Sequence, residues 1–214
     1  NAYQAAEAIL AEKNTLEDFN AETYTLPNNY QSVENITALE RGMSSNYTQA
    51  AVLSEALASL YKEGDLRLDA YFKAADKNGY RFSQKSGKDD FRCSFRVGEM
   101  YLNSAEAAAQ SDKLPQARTR LLELMQKRYT PEAYTVKATA VNAMTKEALI
   151  QEILDERARE LAFEGHRWFD LRRTTRPRIE KVLKGGTYVL EQDDSRYTIQ
   201  IPREAIAANP ELSN

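Results

Sequence analysis

Residues 145–173, TKEALIQEILDERARELAFEGHRWFDLRR, decide how the rest of this chain is read. The first part has the pattern of one long amphipathic helix. Thr145 is placed to cap it, Lys146 and Glu147 fall in its first turn, and Gly165 is the kind of residue that stops a helix. At a 3.6-residue period Leu149, Ile150, Ile153, Leu154 and Leu161 share one face, with Glu152, Asp155 and Arg159 opposite. Arg157 breaks this pattern: it lies within the apolar stripe, with Glu160 and Glu164 along its edge. A charge there is costly unless it is paired and hydrogen-bonded. Glu160, three residues on, is within helical reach of it. After the glycine, Arg167, Asp170, Arg172 and Arg173 are interleaved with Trp168, Phe169 and Leu171. This predicts a short second helix that folds back, packs its aromatics on the first, and brings its arginines to Glu156, Glu160 or Glu164. The expectation is a structural ion-pair corner of Arg157, Glu160, Glu164, Arg167 and Asp170 rather than an acid–base site, since most charge clusters of this kind are scaffold.

Working outward, residues 1–13 have helical periodicity and residues 14–43 lose it. The run Leu26-Pro27-Asn28-Asn29-Tyr30 is turn chemistry, and residues 33–39 suit a short strand. Residues 45–61 suggest a helix ended near Gly64, and residues 65–92 suggest loops and short strands in which aromatics alternate with charges. Two helices are expected over 94–110 and 114–128, joined by the polar turn Ser111-Asp112-Lys113. Ala105, Ala107, Ala108 and Ala117 let them approach closely, as in a tetratricopeptide-like hairpin. Residues 130–144, rich in Thr, Ala and Tyr, suggest a linker. Past Pro177, residues 188–190 and 197–201 suggest a small hairpin closed over Asp193-Asp194-Ser195, and the tail from Ile206 is expected to pack back. The predicted fold is mainly α: a tetratricopeptide-like helical scaffold with loop-rich insertions and a small C-terminal β-hairpin.

Composition and motifs narrow the function. The chain has 214 residues, 42% hydrophobic and 29% charged, with net charge −3, values ordinary for a globular domain and without the basic bias of a nucleic-acid surface. One cysteine, Cys93, excludes an internal disulfide and a cysteine metal site. His166 is the only histidine, so a histidine pair for a metal is absent, and a hydrogen-bonded structural role is expected for it. There is no glycine-rich phosphate loop, no HExxH and no calcium loop. Asp89-Asp90 and Asp193-Asp194 are expected to be solvated turn charges. Nothing marks one acidic pair among the 32 acidic residues as the two-carboxylate arrangement of a glycosidase. No catalytic residue, metal site or cofactor is assigned.

The string EILDERARELAFEGHRWFDLRR resembles the C-terminal hallmark of the SusD/RagB family of outer-membrane nutrient-binding lipoproteins. Three further stretches match in order. Phe95-Arg96-Val97-Gly98-Glu99-Met100-Tyr101-Leu102 with Ala105-Glu106-Ala107 resembles the family's R-x-x-E-x-Y-L-x-x-A-E-A helix. Gly64-Asp65-Leu66-Arg67 resembles its D-x-R turn, and Ile201-Pro202 through Asn209-Pro210-Glu211-Leu212 and Asn214 its ending. Glu34-Asn35-Ile36 resembles a short family strand. The resemblance covers most of residues 60–214. It implies a single domain over 1–214, truncated at its N-terminus since family members are longer and the chain opens inside a helix. It also implies a protein anchored by lipid on the outer face of the outer membrane. Such a protein binds an oligosaccharide or similar nutrient without cleaving it and passes it to a SusC-like TonB-dependent transporter. The alternative is a helical protein-interaction scaffold without its own ligand site.

Sugar binding needs exposed aromatic rings edged by polar groups. Trp168 is expected to be buried in the corner, which leaves the 12 tyrosines. Tyr24, Tyr30, Tyr47, Tyr71 and Tyr80 fall in stretches that suggest loop or flank one, and they are the candidate ligand contacts.

Overall fold

The computed structural model describes residues 1–27, 29–38, 40–41, 51–85, 91–92, 95–183 and 185–212. They form two compact units, residues 1–165 and 166–214.

The first unit is built on helices. α1 spans Ala2–Glu12, α2 Glu55–Ala58, α3 Arg67–Tyr71, α4 Val97–Gln110, α5 Leu114–Gln126, α6 Pro131–Ala143 and α7 Lys146–Glu160. α4 is the central element, packed against α1, α5 and α7, and α6 packs on α5. The turn at Ser111-Asp112-Lys113 lets α4 and α5 fold back on each other, with Asp112 at φ 58°. Ala105, Ala108, Ala109 and Ala117 are fully buried along their seam. The absence of bulk is what allows the two backbones to approach. Leu121, Leu124, Met125, Val141, Leu149 and Ile153 complete this core. A second cluster, of Phe19, Tyr61, Ala70, Tyr71, Phe72 and Ala162, is mostly aromatic.

Short antiparallel pairs tie the loops down. β1 (Asn35–Thr37) pairs with β4 (Phe95–Arg96), and β2 (Glu40–Arg41) with β3 (Phe91–Arg92). Thr145 caps α7 as expected, its hydroxyl accepting from the Ala148 N–H at 3.3 Å. The helix closes at Glu160, ahead of Gly165, and residues 161–165 continue as turns with Phe163 at φ 62° and Gly165 at φ 90°.

Several sequence expectations need correction. Residues 130–144 are a helix and not a linker: Thr130 caps α6, and Pro131 occupies the first turn, where a missing N–H costs nothing. Its only fully buried side chain is Val141, so the apolar periodicity that reveals a helix is weak here. Arg159 does not face solvent; it is 3% exposed and ion-paired to Glu152 and Glu156. Of residues 45–61, only 55–58 are helical among those described, and residues 42–50 lie outside the described set, as do Cys93, Asp89 and Asp90.

The second unit contains α8 (Arg167–Arg173), the hairpin β5–β6 (Ile179–Leu183 with Gly186–Leu190) and α9 (Arg203–Ala208). The hairpin is displaced from its expected place. Asp193-Asp194-Ser195 instead open a one-turn 3₁₀ helix, with the Asp194 carboxylate accepting from the Arg196 N–H at 2.8 Å. Trp168 is half-buried and stacks on Tyr197, ring centroids 5.1 Å apart. No described helix is long and apolar enough to cross a membrane.

Candidate functional site

The centre of the first unit is a buried ion network. Glu160, at the last turn of α7, is fully buried and binds three guanidiniums: Arg67 at 3.1 Å, Arg96 at 2.7 Å and Arg128 at 3.0 Å. Arg67 also pairs with Asp65 at 2.8 Å and Glu156 at 2.7 Å, and Arg159 with Glu156 at 2.7 Å. Arg96 and Arg128 both reach Glu34. Arg96 and Lys85 close the network on Glu164. Five buried cations (Arg67, Lys85, Arg96, Arg128, Arg159) thus face five buried carboxylates (Glu34, Asp65, Glu156, Glu160, Glu164), and the group sums to zero charge.

Local sequence explains how each charge arrives. The Asp65 carboxylate accepts from the Arg67 N–H at 3.1 Å and from its guanidinium, so the D-x-R turn aims its own arginine. Gly98 lies where a side chain cannot fit: a Cβ there would sit 2.4 Å from Arg96 Nη1 and 3.0 Å from Glu160 Oε1. The Glu160 backbone carbonyl, left open at the end of α7, accepts from both Lys85 Nζ at 2.7 Å and Arg96 Nη2 at 2.8 Å.

The electrostatics are those of a lock. Burial alone raises a carboxyl, but Arg128, Arg96 and Arg67 outweigh it and hold Glu160 well below the usual carboxylate range. Against the same burial, Arg96 and Lys85 hold Glu164 down at about 2. Burial brings the Lys85 ammonium down to about 8, with Glu164 opposing. Glu156 is likewise lowered, its burial outweighed by Arg67 and Arg159. At neutral pH these three carboxylates hold no proton to donate, and each accepts hydrogen bonds from buried cations.

Of the corner read from sequence, the structure brings Glu160 and Glu164 together. Their cations come from Arg67, Lys85, Arg96 and Arg128, all outside residues 145–173. Arg157 donates to Asn103 Oδ1 at 2.7 Å and lies 3.8 Å from the Glu106 carboxylate, turned toward α4. In the second unit Arg167 is exposed, and Asp170 is buried with Arg173 as its partner at 2.7 Å. Arg67, Arg96 and Glu34 lie in strings already singled out by sequence. Arg128, between Lys127 and Tyr129, and Lys85, in the polar run Ser83-Gln84-Lys85-Ser86, carried no signal that set them apart from solvated charges.

The candidate tyrosines separate. Tyr71 is corrected from ligand contact to core: it is 0% exposed, with Phe19 edge-on at 5.6 Å and the Lys85 ammonium 3.6 Å above its ring. It belongs to α3, a helix and not a loop. Tyr24 and Tyr30 are each 40% exposed and Tyr80 is 54% exposed. Tyr47 lies outside the described residues. Beside α6 there is also an open cleft of about 790 Å³, lined by Lys62, Gly64, Tyr129, Ala133, Val136 and Lys137 among others. Among the described residues no group of three His, Cys, Asp or Glu side chains is arranged to hold a metal.

A helical hairpin, α4–α5, with α1 and α7 packed on it and a buried, charge-neutral ion network beside it, defines a mainly α scaffold. The chain belongs to the SusD family, whose sequence pattern it matches over residues 70–214. No curated protein matches it. Solved structures share its fold. A SusD superfamily protein of Bacteroides thetaiotaomicron is 22% identical (TM-score 0.71), covering 97% of this chain and 54% of its own. A SusD-like carbohydrate binding protein of Bacteroides vulgatus is 18% identical (TM-score 0.64), with coverage of 97% and 54%. A putative sugar binding protein of Bacteroides vulgatus is 23% identical (TM-score 0.66), with coverage of 98% and 52%. The chain therefore spans about half the length of these proteins.

Proposed function

We propose that this chain is part of a surface nutrient-capture protein that binds an oligosaccharide and does not cleave it. The observation that carries this is membership of the SusD family over residues 70–214, together with fold relatives described as carbohydrate or sugar binding. The network chemistry is consistent with it: the most conspicuous carboxylates are ionised and sealed from solvent, so they offer no general acid. The capturing surface would be the outer face of the outer membrane, reached through a lipid anchor in the full-length protein. The ligand would pass to a SusC-like TonB-dependent transporter. Tyr24, Tyr30 and Tyr80, all exposed, are our proposed ring platforms for it, and Tyr47 is kept as a candidate from its sequence alone.

Isothermal titration against a panel of plant, host and microbial oligosaccharides tests this, with product analysis of the same mixtures. Saturable binding with intact ligand is expected; release of shorter products would overturn the non-catalytic assignment.

One feature favours a second role, as a protein-interaction scaffold. α6 presents Ala133, Val136 and Ala140 to the open cleft, and Val136 is 71% exposed. An unpartnered apolar helix face of this kind suits a helix from another protein. Val136→Asp that leaves glycan binding intact but abolishes transporter co-purification would favour this role for the cleft.

A further inference from the structure

Residues 17–27 and 29–33 are a surface loop built more firmly than their composition suggests. The Glu17 carboxylate closes it, with Oε2 accepting from the Thr25 N–H at 3.2 Å and Oε1 from Ser32 Oγ at 2.7 Å and the Val33 N–H at 3.0 Å. Its base is tied to the end of α5. The Phe19 N–H donates to the Lys127 carbonyl at 3.0 Å, Asn20 Nδ2 to the Tyr129 carbonyl at 3.0 Å, and Lys127 Nζ to Asp18 at 2.8 Å. From this base the Phe19 ring runs inward to Tyr71, the two rings perpendicular at 5.6 Å, and to the Arg128 guanidinium, 4.7 Å from its centroid. On Phe19 lies Tyr24, centroids 4.5 Å apart and planes 28° from parallel, with 40% of Tyr24 open to solvent.

Tyr24 is therefore an exposed ring whose orientation is already fixed, so little freedom remains to be lost when a ligand covers it. Tyr80 offers the contrast: it is more exposed, yet its ring makes no contact with another ring or cation among the described residues. Beside Tyr24 in the chain, Glu22 and Thr23 are exposed and engaged in no hydrogen bond among the described residues. They leave a carboxylate and a hydroxyl available to a ligand's hydroxyl groups.

Resting on the glycan-binding function above, we propose that Tyr24 is the stacking platform for a pyranose ring of a neutral oligosaccharide, with Glu22 and Thr23 taking its hydroxyls. The apolar face of the sugar covers the side of Tyr24 turned away from Phe19. An acidic sugar is disfavoured because its carboxylate would approach that of Glu22.

The test is titration of the folded chain with cellohexaose, maltohexaose, xylohexaose and hexagalacturonate. At least one neutral hexasaccharide is expected to bind, and hexagalacturonate is not. Tyr24→Ala should weaken binding at least about tenfold, while Tyr24→Phe stays close to wild type because the stack survives. Tyr24→Leu keeps Phe19 covered while removing the aromatic face, so it too should lose binding even if Tyr24→Ala unfolds. Tyr80→Ala should bind as wild type does. Wild-type binding that survives both Tyr24→Ala and Tyr24→Leu would overturn the platform and leave glycan capture standing. Failure of the wild type to bind any neutral hexasaccharide would overturn both. Binding of hexagalacturonate above the neutral sugars would overturn the assigned sugar class.

Discussion

Glu160→Gln is the most informative single perturbation of the scaffold. The carboxylate accepts from Arg67, Arg96 and Arg128, and all four side chains are 2% exposed or less. Glutamine preserves the size but removes one negative charge, leaving the buried group with a net charge of about +1 by the count of its members. Its amide also turns an N–H₂ donor toward guanidiniums, where only acceptors are satisfied. Breaking a buried pair in this way costs about 3–5 kcal/mol, most of it the penalty of the uncompensated charge. In a chain of 150–250 residues each kcal/mol lowers the melting temperature by roughly 2–4 °C, so a fall of about 10 °C is expected. The assay is thermal melting by circular dichroism at neutral pH, with Lys146→Ala as the control in the same unit. Lys146 pairs at 2.7 Å with an Asp112 side chain that is 78% exposed, and such pairs contribute about 1 kcal/mol at most. The difference should persist at high salt, which screens the surface pair and not the buried one. A Glu160→Gln melt within about 2 °C of the Lys146→Ala melt would refute the reasoning, since it corresponds to less than 1 kcal/mol.

Further expectations follow from single sites. Gly98→Ala should destabilise by about 2–3 kcal/mol, although helix propensity alone favours alanine by about 1 kcal/mol, because its Cβ meets Arg96 Nη1 at 2.4 Å. A melting temperature at or above wild type would contradict this. Lys85 titrates near 8 in the folded chain against an ordinary 10.5, so between those values the unfolded chain holds the extra proton and stability rises with pH. Relative to Lys85→Met, wild type should gain about 3 kcal/mol in urea unfolding between pH 8 and 10.5; a constant or shrinking difference would count against the buried ammonium. Thr130→Ala should cost about 1 kcal/mol by uncapping α6, whereas Thr135→Ala, whose exposed hydroxyl only returns to the Pro131 carbonyl, should be near neutral. Equal melting shifts for the two would show that the cap is unimportant.

What could be read from sequence divides along a physical line. Features within one helical turn were legible, such as the Thr145 cap and the hairpin at 111–113; the D-x-R string stood out only as a resemblance, and its aiming of Arg67 came from the structure. The partners of Glu160 were not, because Arg67, Arg96 and Arg128 stand 93, 64 and 32 residues away in the chain. Periodicity reports neighbours at i+3 and i+4 only, so Glu160 was matched to Arg157, which turns instead toward Asn103. Arg159 misled for the same reason: the face opposite the apolar stripe is covered by Leu60 and Tyr61, which accept and donate there from far along the chain. α6 was missed because a helix packed on one side by little more than Val141 leaves almost no apolar period to see. Tyr71 and Tyr24 look alike as sequence, each a tyrosine near charges. Only the packed structure distinguishes a ring with Lys85 and Phe19 against it from one resting on the outside of Phe19.

The placement of the ion network bears on why so many charges are buried here. An apolar core of equal volume would often be at least as stable as paired charges, so stability alone does not account for ten of them. An apolar contact, however, has no direction, whereas a guanidinium fork fixes angle as well as distance. Arg128 illustrates the use of this. One arm binds Glu34 and Glu160, another donates to the Glu17 carbonyl, and its guanidinium carbon lies over the Phe19 ring, 4.7 Å from the centroid. Glu17 in turn closes the loop that carries Tyr24, and its own N–H donates to Glu34 at 3.0 Å. The network thus joins Glu17 and Glu34, Asp65 and Arg67, Lys85, Arg96, Arg128, and the set Glu156, Glu160 and Glu164, stretches that share no local sequence relation, and sets the loop base at one angle. On this view the buried charges act as positioning residues for the exposed ring, and the loop's outward residues are free to differ without disturbing the frame that aims them.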